Sequence, residues 1–206
     1  MASRRDALLS ILALYPCHAL AAQKPARYKI DSTRSTVRLR VQVVGVGDVI
    51  CEFSGIKGDI DYDPIGLSGS SQVQIETSTL KMLHYPFGWL AQSREFLDTN
   101  RFPLASFVSS ELQFEGALPA AIVGALTIKG VTRRERFEVI GIERELTIDA
   151  KRVQLRVEAT RQLSRRQFDI SGLSGIVNDL VKVELLLLAV SVEGVLKSVF
   201  SRGRYR

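Results

Sequence analysis

Apolar and polar residues alternate one by one along most of this chain. Between residues 36 and 43 every odd position is apolar: Val37, Leu39, Val41 and Val43. Because successive side chains of a β-strand point to opposite faces, this pattern predicts a half-buried strand. It recurs in residues 73–77, 122–128, 137–139 and 153–157, with turn glycines between the runs. Many such strands predict an all-β domain.

Two segments depart from the alternation. Residues 84–96 are predicted to be helical, with Leu90 and Phe96 facing the sheet, and to act as a plug or lid. The last strand, predicted over residues 180–192, contains four consecutive leucines, which indicates burial on both faces or an edge covered by another element. A long antiparallel sheet with one apolar face forms either a two-sheet sandwich or a closed barrel, and periodicity alone does not choose between them.

The N-terminus has the layout of an export signal. Arg4 and Arg5 precede a short apolar run, Leu8 to Leu14, and Ala19-Leu20-Ala21 follows. We predict a cleaved signal peptide over residues 1–21, a single domain over residues 22–206, and a periplasmic location. Both the general secretory and the twin-arginine routes stay open.

Few residues remain for catalysis or metal binding once this segment is removed. The mature chain keeps one cysteine, Cys51, and one histidine, His84. Cys51 lies within a strand pattern, where cysteine usually serves as a small apolar group. A zinc site needs several converging ligands, so no metal, no cofactor and no catalytic residue is predicted, and the protein is not expected to be an enzyme.

Basic residues exceed acidic ones, and the formal net charge is +6. Much of the excess lies in two groups: Arg161, Arg165 and Arg166, and the tail residues Lys197, Arg202, Arg204 and Arg206. No aromatic platform is interleaved with them on a strand, so nucleic-acid binding is not predicted. A basic face could still contact an anionic surface or another protein.

Several short motifs follow one another in a distinctive order: Tyr28–Asp31, Gly45, Phe53, Gly58, Asp63, Leu90, Phe96, Phe102-Pro103, Phe107, Ser109, Leu126–Thr132, Arg165, Phe168, Ile170 and Asp179–Val181. Together they resemble the YceI-like family, exported bacterial proteins that bind polyisoprenoid lipids. The most specific motif is LTIKGVT at residues 126–132, and the resemblance covers nearly the whole mature chain. It implies an antiparallel, lipocalin-like eight-stranded β-barrel with a short helix at one end, a long apolar pocket and no enzymatic activity.

Under this resemblance the protein sequesters or carries an isoprenoid lipid, a polyprenol or a quinone. The predicted ligand-binding residues are those expected to face inward, with Trp89 and Leu90 at one end: Val37, Leu39, Val41, Val43, Phe53, Ile75, Trp89, Leu90, Phe107, Leu126, Ile128, Phe137, Val139, Leu155 and Val157. For each inward residue, packing into a closed core is the alternative. The family pattern commonly has a histidine where Val43 stands and a polar run where residues 87–90 read Phe-Gly-Trp-Leu, so the head group is not predicted.

Three further points stay open. A carrier of this kind would make transient contact with a membrane surface or a membrane enzyme, and the chain could form a homodimer. The alternative function is an envelope protein-interaction module with a filled barrel, which binds through the basic face at Arg161, Arg165 and Arg166.

Overall fold

The computed structural model describes residues 25–83, 87–147 and 152–192. The predicted signal peptide, His84 and the basic tail lie outside these ranges. Within them, most residues belong to one antiparallel sheet of eleven strands. The strands are β1 (Ala26–Ile30), β2 (Thr36–Val43), β3 (Gly47–Phe53), β4 (Ile56–Asp63), β5 (Ser68–Glu76), β6 (Lys81–Met82), β7 (Leu104–Glu115), β8 (Leu118–Ile128), β9 (Val131–Thr147), β10 (Arg152–Ser164) and β11 (Val177–Ser191).

The sheet closes into a barrel, as the family resemblance implied. Eight strands form a ring in the order β1-β4-β5-β7-β8-β9-β10-β11, and β11 pairs again with β1. The closing register places Tyr28 opposite Ser191 and Ile30 opposite Ala189. Closure removes the exposed edges that an open sheet would leave. The sequence alone allowed a sandwich, so this register is the observation that excludes it.

Two strand pairs extend one side of the barrel beyond the ring. β11 pairs with β1 near its C-terminus and with β2 over the rest of its length. β2 then pairs with β3, and β3 with the two-residue strand β6. The segments β1–β2 and β3–β4 therefore act as two long strands, each interrupted by a short turn.

The two ends of the barrel are built from different turns and segments. The lower end, as we name it, carries the β4–β5 and β7–β8 turns and the N-terminus of β1. The upper end carries the β2–β3 and β8–β9 turns, residues 77–83 and 87–103, and the loop 165–176. We call residues 77–83 with 87–103, and the loop 165–176, the two covering segments, because they lie over the upper opening.

The β8–β9 hairpin shows how the LTIKGVT motif folds. Ile128 pairs with Val131, which leaves Lys129 and Gly130 as a two-residue turn. Both have positive φ, 50° and 79°, as a type I′ turn requires. A Cβ at residue 130 would lie 2.8 Å from the ring of Phe102, so glycine is also needed for close approach of the covering segment.

The predicted helix is real but much shorter than expected. Helix α1 spans Gly88–Gln92 rather than residues 84–96. After it the chain folds into tight turns, because the amides of Phe96 and Asp98 both donate to the carbonyl of Ser93 (3.0 and 2.9 Å). Phe96 packs against the core as predicted, although from a turn and not from a helix.

The four consecutive leucines of β11 point alternately to the two faces of the strand. Leu185 and Leu187 face the barrel interior, whereas Leu186 and Leu188 are half-buried on the other face. No described helix is both long and apolar enough to cross a membrane.

Candidate functional site

An apolar cavity of about 190 Å³ lies inside the barrel. Its wall is almost entirely carbon and extends from Leu97 and Phe168 at the upper end to Tyr62 at the lower end. Every strand of the ring except β1 contributes residues to this wall. Beyond the ring, β2 contributes two residues and β3 contributes one. The interior is therefore hollow along much of its length, which the sequence left undecided.

Most of the residues predicted to bind ligand line this cavity. They come from strands all around the barrel and share an inward orientation: Val37, Leu39, Phe53, Ile75, Phe107, Leu126, Ile128, Phe137, Val139, Leu155 and Val157. The apolar face of the LTIKGVT hairpin thus looks into the cavity through Leu126 and Ile128. Whether these side chains contact a ligand stays a prediction.

Four predicted residues lie outside the lining. Val41 and Val43 occupy the upper part of β2, where they pack against the buried core. Leu90 is half-buried on α1, and Trp89 on the same helix is 67% exposed. Because α1 is a single short turn against β6, it does not carry these two side chains into the barrel.

The cavity is shaped by an aromatic pair that spans three strands. Phe107 on β7 and Phe137 on β9 meet edge to face, with ring centroids 5.3 Å apart and an interplanar angle of 76°. Gly124 on the intervening strand makes this contact feasible, because a Cβ there would lie 2.7 Å from the tip of the Phe107 ring. Edge-to-face pairs of this kind contribute about 0.5–1.5 kcal/mol beyond their area burial.

The upper end is tied down by polar contacts between its two covering segments. The Lys129 ammonium donates to the carbonyls of Arg94 and Asp169 at 2.8 and 2.9 Å. The amide of Gly172 donates to the carbonyl of Glu95 at 3.0 Å. A Cβ at residue 172 would lie 2.4 Å from the ring of Phe96, so the two segments meet without a gap.

Arg165 anchors the loop 165–176 and is not part of a basic face. It is 5% exposed, and its guanidinium donates to four carbonyls: those of Ile170, Gly172, Val177 and Asn178, at 2.8–3.0 Å. Burial lowers the pKa of Arg165, and the nearby Asp179 carboxylate opposes this effect. The prediction of an exposed binding arginine here is wrong, because the chain turns this side chain inward.

The two neighbouring arginines are already engaged. Arg161 forms a salt bridge to the buried Glu135 at 3.1 Å, and Arg166 lies 3.8 Å from Asp179. The Asp179 carboxylate also accepts hydrogen bonds from the Ser164 hydroxyl (2.7 Å) and the Arg166 amide (3.0 Å), and the Ser164 bond is the main reason that its pKa is lowered. The three arginines therefore do not form one open cationic surface.

Cys51 is not activated as a nucleophile. Burial raises the pKa of the Cys51 thiol to about 11, so this group stays a thiol at neutral pH. Cys51 packs in the core and does not line the cavity. No group of three or more acidic, histidine or cysteine side chains in the described ranges is arranged to hold a metal ion.

Several lining residues were not predicted. Tyr62, Leu112 and Leu187 line the cavity, as does Ile60 beside the aspartates of β4. The signal for Ile60 and Tyr62 was present, since they alternate with Asp59, Asp61 and Asp63. Leu112 was harder to assign, because β7 shifts register between Ser109 and Glu111 and so breaks the period of two.

A family model described as the YceI-like domain matches residues 28–189 of this chain. The chain belongs to the YceI-like family. The match begins at Tyr28 and ends at Ala189, so it covers the ring from its first strand to its last.

Comparison of sequences finds relatives of the same family. A UPF0312 protein of Vibrio vulnificus is 27% identical over 133 residues, which cover 63% of this chain and 70% of that protein. A UPF0312 protein of Shewanella denitrificans is 30% identical over 115 residues, or 54% of this chain and 60% of that protein.

Solved structures share the YceI-like fold. BcnA of Burkholderia cenocepacia superposes with a TM-score of 0.65 at 20% identity, over 77% of this chain and 98% of BcnA. A polyisoprenoid binding domain from Saccharophagus degradans, described as implicated in plant cell wall breakdown, gives a TM-score of 0.57 at 12% identity. It covers 82% of this chain and 99% of that domain. At these identities the comparison establishes the barrel fold.

Proposed function

We propose that this YceI-like protein is a non-enzymatic binding protein that holds the hydrocarbon chain of an isoprenoid lipid, a polyprenol or a quinone, inside its barrel. The observation that carries the proposal is the apolar cavity along the barrel axis. The polyisoprenoid binding domain of Saccharophagus degradans, which has the same fold, supports the choice of ligand class. The apolar signal-like segment before residue 22 supports export to the periplasm.

The shape of the cavity favours a thin chain over a bulky ligand. Its volume of about 190 Å³ is smaller than the roughly 300–1,000 Å³ of typical small-molecule pockets. It is nevertheless lined by residues from both ends of the barrel, so the space is long and narrow. An extended isoprenoid fits such a space along its length, whereas a wider ligand such as a fused ring system would require the wall to expand.

The energetics suit a protein that exchanges lipid with a membrane. Burial of a methylene group from water is worth about 0.8 kcal/mol, so each isoprene unit of five carbons that enters the barrel gains roughly 4 kcal/mol toward association costs of about 4–15 kcal/mol. Relative to a bilayer, whose lipid tails are as apolar as leucine, the isoprenoid chain gains almost nothing. The protein would therefore keep lipid out of water and still release it to a membrane surface or to a membrane enzyme.

Native mass spectrometry of gently purified protein, followed by organic extraction, tests the proposal. We expect an added mass that is lost on extraction and is recovered as an isoprenoid lipid in the organic phase. A preparation extracted and refolded without lipid, and then offered the extract, serves as the matched control and should regain the mass. Repeated isolation of stable, empty protein that does not take up the extract would refute the proposal.

A further inference from the structure

Exposed aliphatic side chains border the lower end of the barrel. Two lie in the β4–β5 turn, and the others lie just after the β7–β8 turn, near the end of β9 and just after β11. We call them the lower rim: Ile65, Leu67, Leu118, Leu146 and Val192, with exposed fractions of 42–77%. Single exposed aliphatic residues are ordinary on a protein surface, but a set that follows one end of a barrel indicates an interaction surface.

The β4–β5 turn exposes its aliphatic residues and buries its acid. The Asp63 carboxylate accepts the amide of Ile65 at 2.9 Å, and the residue is 8% exposed. A Cβ at residue 66 would lie 2.6 Å from that carboxylate, so the turn closes tightly around it. Leu67 has a positive φ of 48°, a conformation that favours glycine or asparagine. This placement is the reverse of the usual one in water, and it suits a turn that meets apolar surroundings.

The cavity extends to this rim. Tyr62 and Gly69 line the cavity and pair with each other one residue pair before the β4–β5 turn. At the upper end, by contrast, the lining includes Leu97 and Phe168 from the two covering segments, which Lys129 ties together. In the part of the chain that the structure describes, only turns and strand ends border the lower end. The lower rim therefore surrounds the uncovered end of the cavity.

The basic tail begins at the same end. Ser191 on β11 pairs with Tyr28, and the amide of Val192 donates to the carbonyl of Arg27 at 2.9 Å, which fixes the end of the last strand at the lower rim. The sequence that follows, residues 193–206, contains four cationic residues and one acidic residue: Lys197, Arg202, Arg204, Arg206 and Glu193. A net charge of +3 is thus attached to the lower end.

We propose that the lower rim docks on an anionic membrane surface and that the basic tail binds the lipid phosphates there. This rests on the proposed function, because it places the uncovered end of the lipid cavity against the bilayer. Membrane attachment of this kind scales with the apolar area buried plus the attraction to anionic lipids. The rim supplies the first contribution and the tail supplies the second.

The distribution of the rim favours a membrane over a protein partner. A stable protein interface buries about 800 Å² of continuous, complementary surface on each partner. The rim side chains instead stand in separate turns and strand ends around the barrel, and each can enter a fluid interface on its own.

Vesicle co-sedimentation tests the proposal. The chain without residues 1–21 is used, so that the apolar signal-like segment does not itself bind lipid. It is mixed with vesicles of phosphatidylcholine alone, or of equal parts phosphatidylglycerol and phosphatidylcholine, both free of isoprenoids. We expect binding to the anionic vesicles that weakens as salt is added, because salt screens the charge of the tail.

Two variants separate the rim from the tail. Ile65→Ser combined with Leu118→Ser should weaken binding to anionic vesicles at least about 10-fold, since full burial of even one aliphatic side chain is worth about that much. Replacing all four basic residues of the tail with glutamine should weaken it by about fivefold per cation and remove most of the salt dependence.

Val46→Ser combined with Ile176→Ser is the matched control, because these two aliphatic residues are about half exposed at the upper end. This pair should bind vesicles as the unsubstituted protein does, and both pairs should keep the original melting temperature. The emission of Trp89, the single tryptophan and 67% exposed at the upper end, should stay unchanged on binding.

A blue shift of Trp89 on vesicles, or loss of binding in the upper pair alone, would show that the other end docks and would overturn the proposal. Equal binding to anionic and neutral vesicles would overturn the choice of an anionic surface. Because the vesicles contain no isoprenoid, docking is measured independently of lipid loading. Protein that docks as expected but stays empty in native mass spectrometry would refute the proposed function and leave the docking surface standing.

Discussion

A single substitution in the middle of the barrel distinguishes a hollow interior from a filled one. Val157 on β10 lines the cavity and pairs with Ile142 and Leu187, which line it too. Replacing it with phenylalanine places a ring across the long, narrow space. Because the cavity of about 190 Å³ can receive that ring, we expect the free energy of unfolding to change by less than about 1 kcal/mol. In a filled interior the same change would destabilise the protein by about 1–3 kcal/mol through overpacking.

The effect of Val157→Phe on binding should be far larger than its effect on stability. A ring at this level excludes at least one isoprene unit of five carbons, which removes about 4 kcal/mol of transfer free energy and weakens binding roughly a thousandfold. Urea unfolding followed by circular dichroism measures the stability. Displacement of a fluorescent polyene lipid measures the affinity, and intrinsic tryptophan fluorescence is unsuitable because the single tryptophan, Trp89, is 67% exposed outside the cavity.

Val108→Phe is the matched control, because Val108 is 45% exposed on the outer face of β7 and takes the same substitution. It should bind lipid as the unsubstituted protein does. The reasoning is refuted if Val157→Phe lowers the free energy of unfolding by about 1–3 kcal/mol and leaves the lipid affinity unchanged. Residue 157 would then lie in a packed core that does not contact the ligand.

Three other predictions follow from the contacts described above. Arg165→Met should destabilise the protein by about 3–5 kcal/mol in urea unfolding, because four carbonyls lose their donor, and an unchanged midpoint would show that the loop is held by other means. Cys51 should resist a thiol-reactive dye at pH 8 until denaturant is added, since burial raises its pKa to about 11, and rapid labelling of native protein would show that β3 opens. The pKa of Asp179 is lower in the folded state, so its contribution to stability is complete above the unfolded pKa and is lost as the pH falls through the folded pKa. Asp179→Asn should therefore make the melting temperature fall less steeply as the pH is lowered. An unchanged acid dependence would contradict this assignment.

The sequence predicted the inner wall well where strands are regular. Leu126 and Ile128 were assigned correctly to the cavity lining because the β8–β9 turn fixes the register and the period of two then determines every face. The same rule could not place Leu112, since β7 shifts its register between Ser109 and Glu111. Alternation thus predicts a face only between one irregularity and the next.

The pattern of apolar and polar residues could not predict the conformation of the covering segments or the burial of particular polar side chains. Arg165 reads as a surface residue because arginine is seldom buried, and only the loop 165–176 supplies the four carbonyls that make its burial favourable. Trp89 was expected to guard the cavity, yet the helix that carries it ends at Gln92 and leaves the ring outside. Tyr28 belonged to the opening motif, but nothing in the sequence indicated that its hydroxyl would be buried without a hydrogen-bond partner among the described residues.

The register that seals the barrel joins residues near the two extremes of the described chain, Tyr28 with Ser191. During synthesis the wall therefore stays open until the last strand has emerged, and no enclosed compartment exists for a nascent chain to fill. Loading with lipid must follow completion of the polypeptide, either as the final strand docks or afterwards. A truncation that removes only the end of β11 should abolish the compartment outright instead of merely shortening it.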